Sequence, residues 1–324
     1  MNRRDFLLQS GAAVSLGLLA RSPLSAQTPA APAPAPAPSI PVQPPTLVTE
    51  FKPLRGDVGY FTGRGGSIGW LASSAALVAV DTQFPDTAAI FLKDMPGRNG
   101  RTLDAVINTH HHGDHTGGNG VFRPVTKTIV AQANVPALMR AAAARSPKPP
   151  AEAELAPMLP DATFATEWRH DFGREQISGR YFGPAHTSGD IVVFFEKANV
   201  VHLGDLLFNR IYPVVDRPAG ARFKGWLTRL EEIVKNYPAD AIYVCGHGHQ
   251  KFGVTGGHAD ILVFRDYITA LLAHVETEIK AGKSREEIVK LENLPGFPDF
   301  HVPPGRGNRL GSNLGTAYDE LTSG

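Results

Sequence analysis

The chain is nearly free of cysteine: Cys245 stands alone among 324 residues. That excludes an intrachain disulfide and any cysteine-rich zinc module. No sign of charge dominates. Lys and Arg number 32 against 31 Asp and Glu, a formal charge of +1. Without a basic run, the sequence gives no support for nucleic-acid binding. The longest mostly apolar stretch, Phe6 to Ala20, is interrupted by Gln9, Ser10 and Ser15. It is too short and too broken for a membrane span. No internal repeat is visible at periods of about 20 to 50 residues. Hydrophobic residues at 42% can still supply a real core. The length suits one large domain or two small ones.

The first 26 residues read as a targeting segment rather than part of the fold. Arg3 and Arg4 are paired, an apolar stretch follows, and "SPLSAQ" offers small residues for cleavage after Ala26. This resembles a twin-arginine export signal, with the twin-arginine machinery as partner and the periplasm as destination. Losing Arg3, Arg4, Arg21 and Asp5 leaves a net charge of about −1. That route carries folded proteins. Residues 27–45 form a linker with eight prolines between Pro29 and Pro45. Alternating Ala-Pro cannot form helix or ladder bonds, so an extended spacer is expected. Residues 46–324 are then the folded body.

Within that body, "AALVAVDT" and "TLDAVINTH" read as buried strands, and "QISGRYF", "DIVVFFE" and "NVVHLGD" as three strands in succession. "AIYVCGHGH" is a strand that stops at histidines. "DTAAIFLKDM", "VPALMRAAAAR", "FKGWLTRLEEIVKNY", "ADILVFRDYITALLAHVETEIKAG" and "SREEIVKL" have helical spacing. "SPKPPAEAELAPMLP" reads as a surface loop, and the tail "PGFPDFHVPPGRGNRLGSNLG" as irregular. Each half shows strands followed by helices. That predicts two packed sheets with helices outside.

Histidine is what the chain has in an unusual place. Of twelve, four lie between His110 and His115. The polar clusters follow the expected strands: His110 after "AVIN", His186 after "RYFGPA", Asp205 after "NVVHLG" and His247 after "IYVCG". Strand ends in layered α/β folds are where loops converge to build sites. Neutral imidazole nitrogen and carboxylate oxygen are the donors zinc takes. His110 and His112 sit two apart, which on an extended segment points them the same way. Gly113 is expected to let the chain turn so that Asp114 and His115 reach a neighbouring position. One metal then takes His110 and His112 and another takes Asp114 and His115. His186, Asp205 and His247 are available to complete the two sets. His111 is the odd one out. His170, His202, His258, His274 and His301 lack such a context and read as structural or surface groups.

These motifs resemble the metallo-β-lactamase superfamily over most of residues 50–320. "THHHGDHTGGN", "GPAHTSGD", "HLGDLLF", "CGHGH" and the Asp81 of "VAVDT" carry the likeness. The resemblance implies an α/β fold, an αββα sandwich of two mixed sheets with helices on the outer faces. It implies that His110, His112 and His186 hold a first metal, that Asp114, His115 and His247 hold a second, and that Asp205 bridges them or serves the second. Asp81 is then expected behind the ligands, bonding the 110–115 loop. Asp205 resembles the hydrolases of the glyoxalase II and lactonase type, whereas the best-known periplasmic β-lactamases place a cysteine there. The tail looks too irregular for the C-terminal substrate domain of glyoxalase II, and the clamp domains of the nuclease branch are not found. An exported branch that keeps the aspartate is the nearest likeness.

The expected chemistry is hydrolysis of a small molecule, an ester, lactone, thioester or β-lactam. A pair of zinc ions lowers the pKa of bound water to about 7 and so supplies hydroxide at neutral pH. Asp114 is placed to orient it and relay a proton. No serine or cysteine nucleophile is required, and nothing marks Cys245 as activated. Two other readings stand beside this one: a periplasmic zinc-binding protein, and an iron-dependent redox protein on the same fold. The segment "LFNRIYPVVDRPAG" follows Asp205 and is expected on the rim, with Asn209, Arg210 and Tyr212 as substrate-binding groups. The alternative makes Arg210 a solvated loop charge and Tyr212 a packing residue.

Overall fold

The computed structural model describes residues 47–302 and 307–323. The export signal and nearly all of the linker lie outside the described residues. Seven strands form one sheet, in the order β1 (Glu50–Pro53), β2 (Val58–Thr62), β3 (Ile68–Ala72), β4 (Leu77–Val80), β5 (Ala105–Ile107), β6 (Ile129–Gln132) and β7 (Ala162–Phe164). Pairing is antiparallel from β1 to β4 and parallel from β4 to β7. Six strands form the other: β8 (Glu167–Phe172), β9 (Glu175–Tyr181), β10 (Ile191–Phe195), β11 (Val200–Asn209), β12 (Ile242–Gly248) and β13 (Thr255–Gly256). Here only β11 and β12 run parallel. Both sheets are therefore mixed.

The helices are α1 (Pro85–Asp94), α2 (Gly113–Thr116), α3 (Asn119–Phe122), α4 (Val135–Ala144), α5 (Glu152–Leu155), α6 (Phe223–Asn236), α7 (His258–Lys280), α8 (Arg285–Ile288) and α9 (Arg309–Thr322). The layering follows from which side each strand residue takes. Val78 and Val80 pack inward against Ile177, Ile191, Val193 and Val244 of the other sheet. Their neighbours Leu77 and Ala79 pack outward against Phe91 of α1 and Phe122 of α3. On the far face, Val201, Leu203 and Tyr243 meet Trp226 of α6, Phe264 and Leu271 of α7 and Leu314 of α9. Central strands buried on both faces read as continuous apolar runs, which is why "ALVAV" lacks alternation. The result is the αββα sandwich.

The structure corrects several expectations. The tail is not irregular throughout: Arg309–Thr322 is a helix. The segment between α4 and β7 is not a plain loop, since α5 and a 3-10 turn at Ala156–Met158 lie in it. Asp205 does not follow its strand but lies inside β11, where the pairing with β12 breaks register on both sides of Gly204. His247 likewise lies within β12. The turn expected at Gly113 is present, in helical form. Gly113 opens the single helical turn α2 after His112 in extended backbone.

Candidate metal centre

The site forms where the ends of β4 and β5 meet the break in β11 and the end of β12. After β5 the chain carries His110 and His112, then α2 rotates Asp114 and His115 away from them. His186 comes from the loop between β9 and β10, Asp205 from β11 and His247 from β12. Of the three donor groups among the described residues, two are built from the expected ligands. His110, His112, His186 and Asp205 offer atoms within 4.8 Å of one another, and so do Asp114, His115 and His247. Asp205 faces both. Its Oδ2 lies 3.4 Å from His186 Nε2 and 3.9 Å from His110 Nε2, while its Oδ1 lies 3.1 Å from His115 Nε2 and 3.5 Å from His247 Nε2. Asp114 Oδ2 stands 3.0 Å from His247 Nε2.

Four of the five imidazoles are held by the nitrogen that points away from the cluster. His115 Nδ1 donates to Asp81 Oδ2 at 2.7 Å. His112 Nε2 donates to Asp216 Oδ2 at 2.9 Å, and His186 Nδ1 to the Val214 carbonyl at 2.9 Å. The Thr109 hydroxyl donates to Asp81 Oδ2, so its oxygen accepts from His110 Nδ1 at 3.1 Å. This fixes each tautomer and leaves His110 Nε2, His112 Nδ1, His115 Nε2 and His186 Nε2 as lone pairs directed inward.

Those lone pairs test the fit of a metal. His112 Nδ1 and His186 Nε2 are 2.9 Å apart with no proton left to share. His110 Nε2 and Asp205 Oδ1 are buried without any hydrogen-bond partner. A buried acceptor left unpaired is costly, and acceptors converging on one point require a cation. The nitrogen and carboxylate donors are those that zinc and related divalent ions take. The residues fit a dinuclear centre.

Protonation agrees. Burial, followed by the neighbouring His115 and His112, holds His110 well below the usual histidine range. Burial and His112 push His186 down to about 3. Both stay neutral, the form that ligates. Burial opposes ionisation of Asp114 and Asp205, but the surrounding histidines outweigh it and hold both carboxyls below the usual range. His115 is the exception. Burial lowers it, yet Asp205, Asp81 and Asp114 outweigh burial and raise it. The proton it attracts marks the same electrostatic hollow that a cation fills.

Small residues make room for this crowding. A Cβ at Gly66 would run into the His115 ring, and one at Gly246 into Asp205 Oδ1. Neither position tolerates a side chain without moving a ligand. Gly246 belongs to the "CGHGH" motif, whereas nothing in the spacing around Gly66 marks it in the sequence.

Beside the two groups lies a cavity of about 570 Å³. Asp114, Asp205 and His247 face it, with Phe84, Phe208, Ile211 and Val214 as apolar wall. The three residues expected to touch substrate do not line it. Asn209 is buried and donates to the Gly253 carbonyl. Arg210 is turned away by its left-handed backbone, φ 58°. It pairs with Asp260 at 2.5 Å and stacks over Phe252. Tyr212 is core, packed between Tyr267 and Phe300. The post-β11 segment does reach the site, but through Ile211, Val214 and Asp216. His111 instead groups with His112 and Asp216, its Nε2 lying 3.5 Å from Asp216 Oδ2. A second cavity of about 570 Å³, bordered by Ser73, Arg174 and Lys197, sits at the opposite ends of the strands and contains none of the histidines.

Comparison with known proteins decides the family. The model for the metallo-β-lactamase superfamily matches residues 29–247. The chain belongs to that superfamily. A hydroxyacylglutathione hydrolase of Methylococcus capsulatus is 29% identical over 252 residues, covering 71% of this chain and 86% of that protein. A metallo-β-lactamase type 2 of Bacillus cereus is 28% identical over 196 residues, 59% of this chain and 71% of that one. The solved structure of a metallo-β-lactamase from Pontibacter korlensis shares the fold, with a TM-score of 0.54, 19% identity, and coverage of 68% of this chain and 99% of its own. As a member of this superfamily with such relatives, the chain is a metal-dependent hydrolase.

Proposed function

We propose that this superfamily member is an exported, dinuclear zinc hydrolase that opens a carbonyl–heteroatom bond in a small molecule. The candidate bonds are ester, lactone, thioester and β-lactam. One observation carries the reading: imidazole lone pairs and carboxylate oxygens converge in two adjoining groups, with Asp205 presenting one oxygen to each. His110, His112 and His186 would hold one ion, Asp114, His115 and His247 the other, and Asp205 would serve both. Zinc in such a site supplies Lewis acidity and hydroxide at neutral pH.

The chain's own residues do the rest. Asp114 is ionised and borders the cavity, so its Oδ2 can accept a proton from an attacking water and return it to the leaving group. Asp81, Thr109, Asp216 and the Val214 carbonyl keep the imidazoles oriented. Phe84, Phe208, Ile211 and Val214 exclude bulk water from one side of the substrate. Cys245 takes no part: burial pushes its thiol up to about 12, and its sulfur lies 3.3 Å from two backbone carbonyls.

The experiment is elemental analysis of the mature protein with a hydrolase panel of esters, lactones, thioesters and β-lactams, run with and without chelator. Two metal equivalents and chelator-sensitive turnover of at least one class are expected. A protein that binds no metal at micromolar zinc, or hydrolyses nothing in the panel when loaded, would end this reading.

A further inference from the structure

We infer that His111 and Asp216, beside the first donor group, hold a third and weaker divalent cation. His111 is the histidine of the 110–115 loop that neither proposed ligand set uses. Its ring is sealed from solvent, at 2% exposure. Among the described residues, neither its Nδ1 nor its Nε2 has a hydrogen-bond partner. A neutral imidazole carries one N–H and one lone pair, and burying both unused is costly. The ring is therefore unexplained by packing alone, and it stands beside a carboxylate: His111 Nε2, His112 Nε2 and a carboxylate oxygen of Asp216 lie within 4.8 Å of one another.

The separations fit an ion. His111 Nε2 stands 3.5 Å from Asp216 Oδ2, too far for an N–H···O bond. Two donors bound at ~2.1 Å to one tetrahedral ion lie ~3.4 Å apart. Asp216 Oδ2 accepts from His112 Nε2 at 2.9 Å, and a carboxylate oxygen has a second lone pair to give. The carboxylate is also fixed, since its Oδ1 accepts from Ala219 N at 3.2 Å. His112 keeps its Nε2 proton for Asp216 and supplies no donor here. Water completes the coordination, because the Asp216 side chain is 15% exposed. One imidazole and one carboxylate suit zinc, nickel or copper better than magnesium or calcium. Two protein donors hold an ion less firmly than three or four, and Arg145, just after α4, repels positive charge at His111. This site therefore fills last. It does not depend on the hydrolase reading.

The test is equilibrium dialysis of the mature protein against zinc alone. Wild type should take up a third equivalent below ~1 mM free zinc, bound at least about tenfold more weakly than the first two. His111→Phe keeps a planar ring and removes both nitrogens. It should retain two equivalents and weaken the third at least about tenfold. No third equivalent in wild type, or a third in the variant within about twofold of wild type, overturns the inference. If the variant fails to fold, wild-type crystals grown in zinc decide by anomalous scattering. A peak between His111 Nε2 and Asp216 Oδ2 is the expected result; a third ion elsewhere, or no third ion, overturns it. The same map separates this inference from the dinuclear reading. A peak at His111 with both expected ligand sets empty sinks the dinuclear centre and leaves this site, and two filled sets without that peak sink this site alone.

Discussion

Asp81 has φ 66°, a left-handed backbone that a side chain other than glycine adopts only under constraint. The constraint is visible. Its carboxylate accepts from Thr109 N, the Thr109 hydroxyl and His115 Nδ1, each at 2.7 Å. One buried side chain therefore anchors the start of the 110–115 loop and orients His115, which on the proposed reading would hold the second ion. Asp81→Ala should weaken metal binding about 10- to 100-fold without abolishing it, as measured by competition with a chromophoric chelator. Unchanged affinity would reduce Asp81 to a strand terminus. Asp216 does the same for His112, which on that reading would hold the first ion. It accepts from His112 Nε2 and lies near His111, and those two histidines hold its carboxyl below the usual range. Asp216→Asn should lower affinity by a similar factor, and the loss should appear at the first ion to leave. The two residues differ in legibility. Asp81 closes a recognisable strand motif. Asp216 lies 104 positions from His112, in a loop whose sequence has no periodicity. Its role exists only once β11 has carried the chain back to the site.

At the scale of elements, β11 shows why chemistry and stability share a strand. His202 sits in it with no exposure; Nε2 donates to the Ser67 carbonyl and Nδ1 accepts from Gly204 N, each at 3.2 Å. Only the neutral ring satisfies both bonds. Burial pushes its pKa down to about 4, against about 6.5 in an unfolded chain. The folded form excludes the proton, so His202 contributes fully above pH 6.5, and that contribution is lost as pH falls toward 4. The full effect is on the order of 3 kcal/mol. In metal-free protein, the urea midpoint should drop as pH is lowered from about 7 to about 4.5, and His202→Gln should flatten that slope. An identical slope in both proteins would show that other groups carry it. The same strand marks the limit of what a local pattern can say. β11 reads as an apolar run, but its break at Gly204 does not show in the sequence. Gly204 takes φ 50°, and a Cβ there would meet the Thr109 side chain. Thr109 follows β5 of the other sheet, so the contact belongs to the tertiary fold. Other elements are hidden for equally physical reasons. β8 carries exposed Glu167, Arg169 and Asp171 at a sheet edge, so it lacks an apolar run. α9 contains Gly311 and Gly315, poor helix formers. It is helical because Leu310, Leu314 and Ala317 bury in the same core as α7.

At the scale of the whole molecule, destination and stability both follow from where residues are drawn from. Arg3, Arg4 and the apolar stretch after them support export by the twin-arginine route. Replacing both arginines with lysine should leave the protein in the cytoplasm, as fractionation and immunoblotting would show. Normal arrival in the periplasm would rule out that route. On the proposed reading the metals would bear on stability, because their ligands would come from both layers. His110, His112, Asp114 and His115 follow β5 of the first sheet, while His186, Asp205 and His247 belong to the second. Each donor group therefore spans the sandwich. The three larger apolar clusters, between the sheets and on both outer faces, contain none of the donor residues. The metal-free protein should stay folded but lose the contribution of binding. At free zinc about 1,000-fold above Kd, one site adds ~4.1 kcal/mol. For a body of this size that corresponds to roughly 8 to 16 °C in Tm. Calorimetry with excess chelator and then with restored zinc should show a reversible shift of at least that size. His110→Ala should show a smaller shift than wild type, since one donor group would be incomplete. Stabilisation requires that the ions prefer the folded chain. Equal Tm with and without zinc, in protein shown to bind two equivalents, would mean that the unfolded chain holds them as tightly, and that the joined sheets add nothing to their binding.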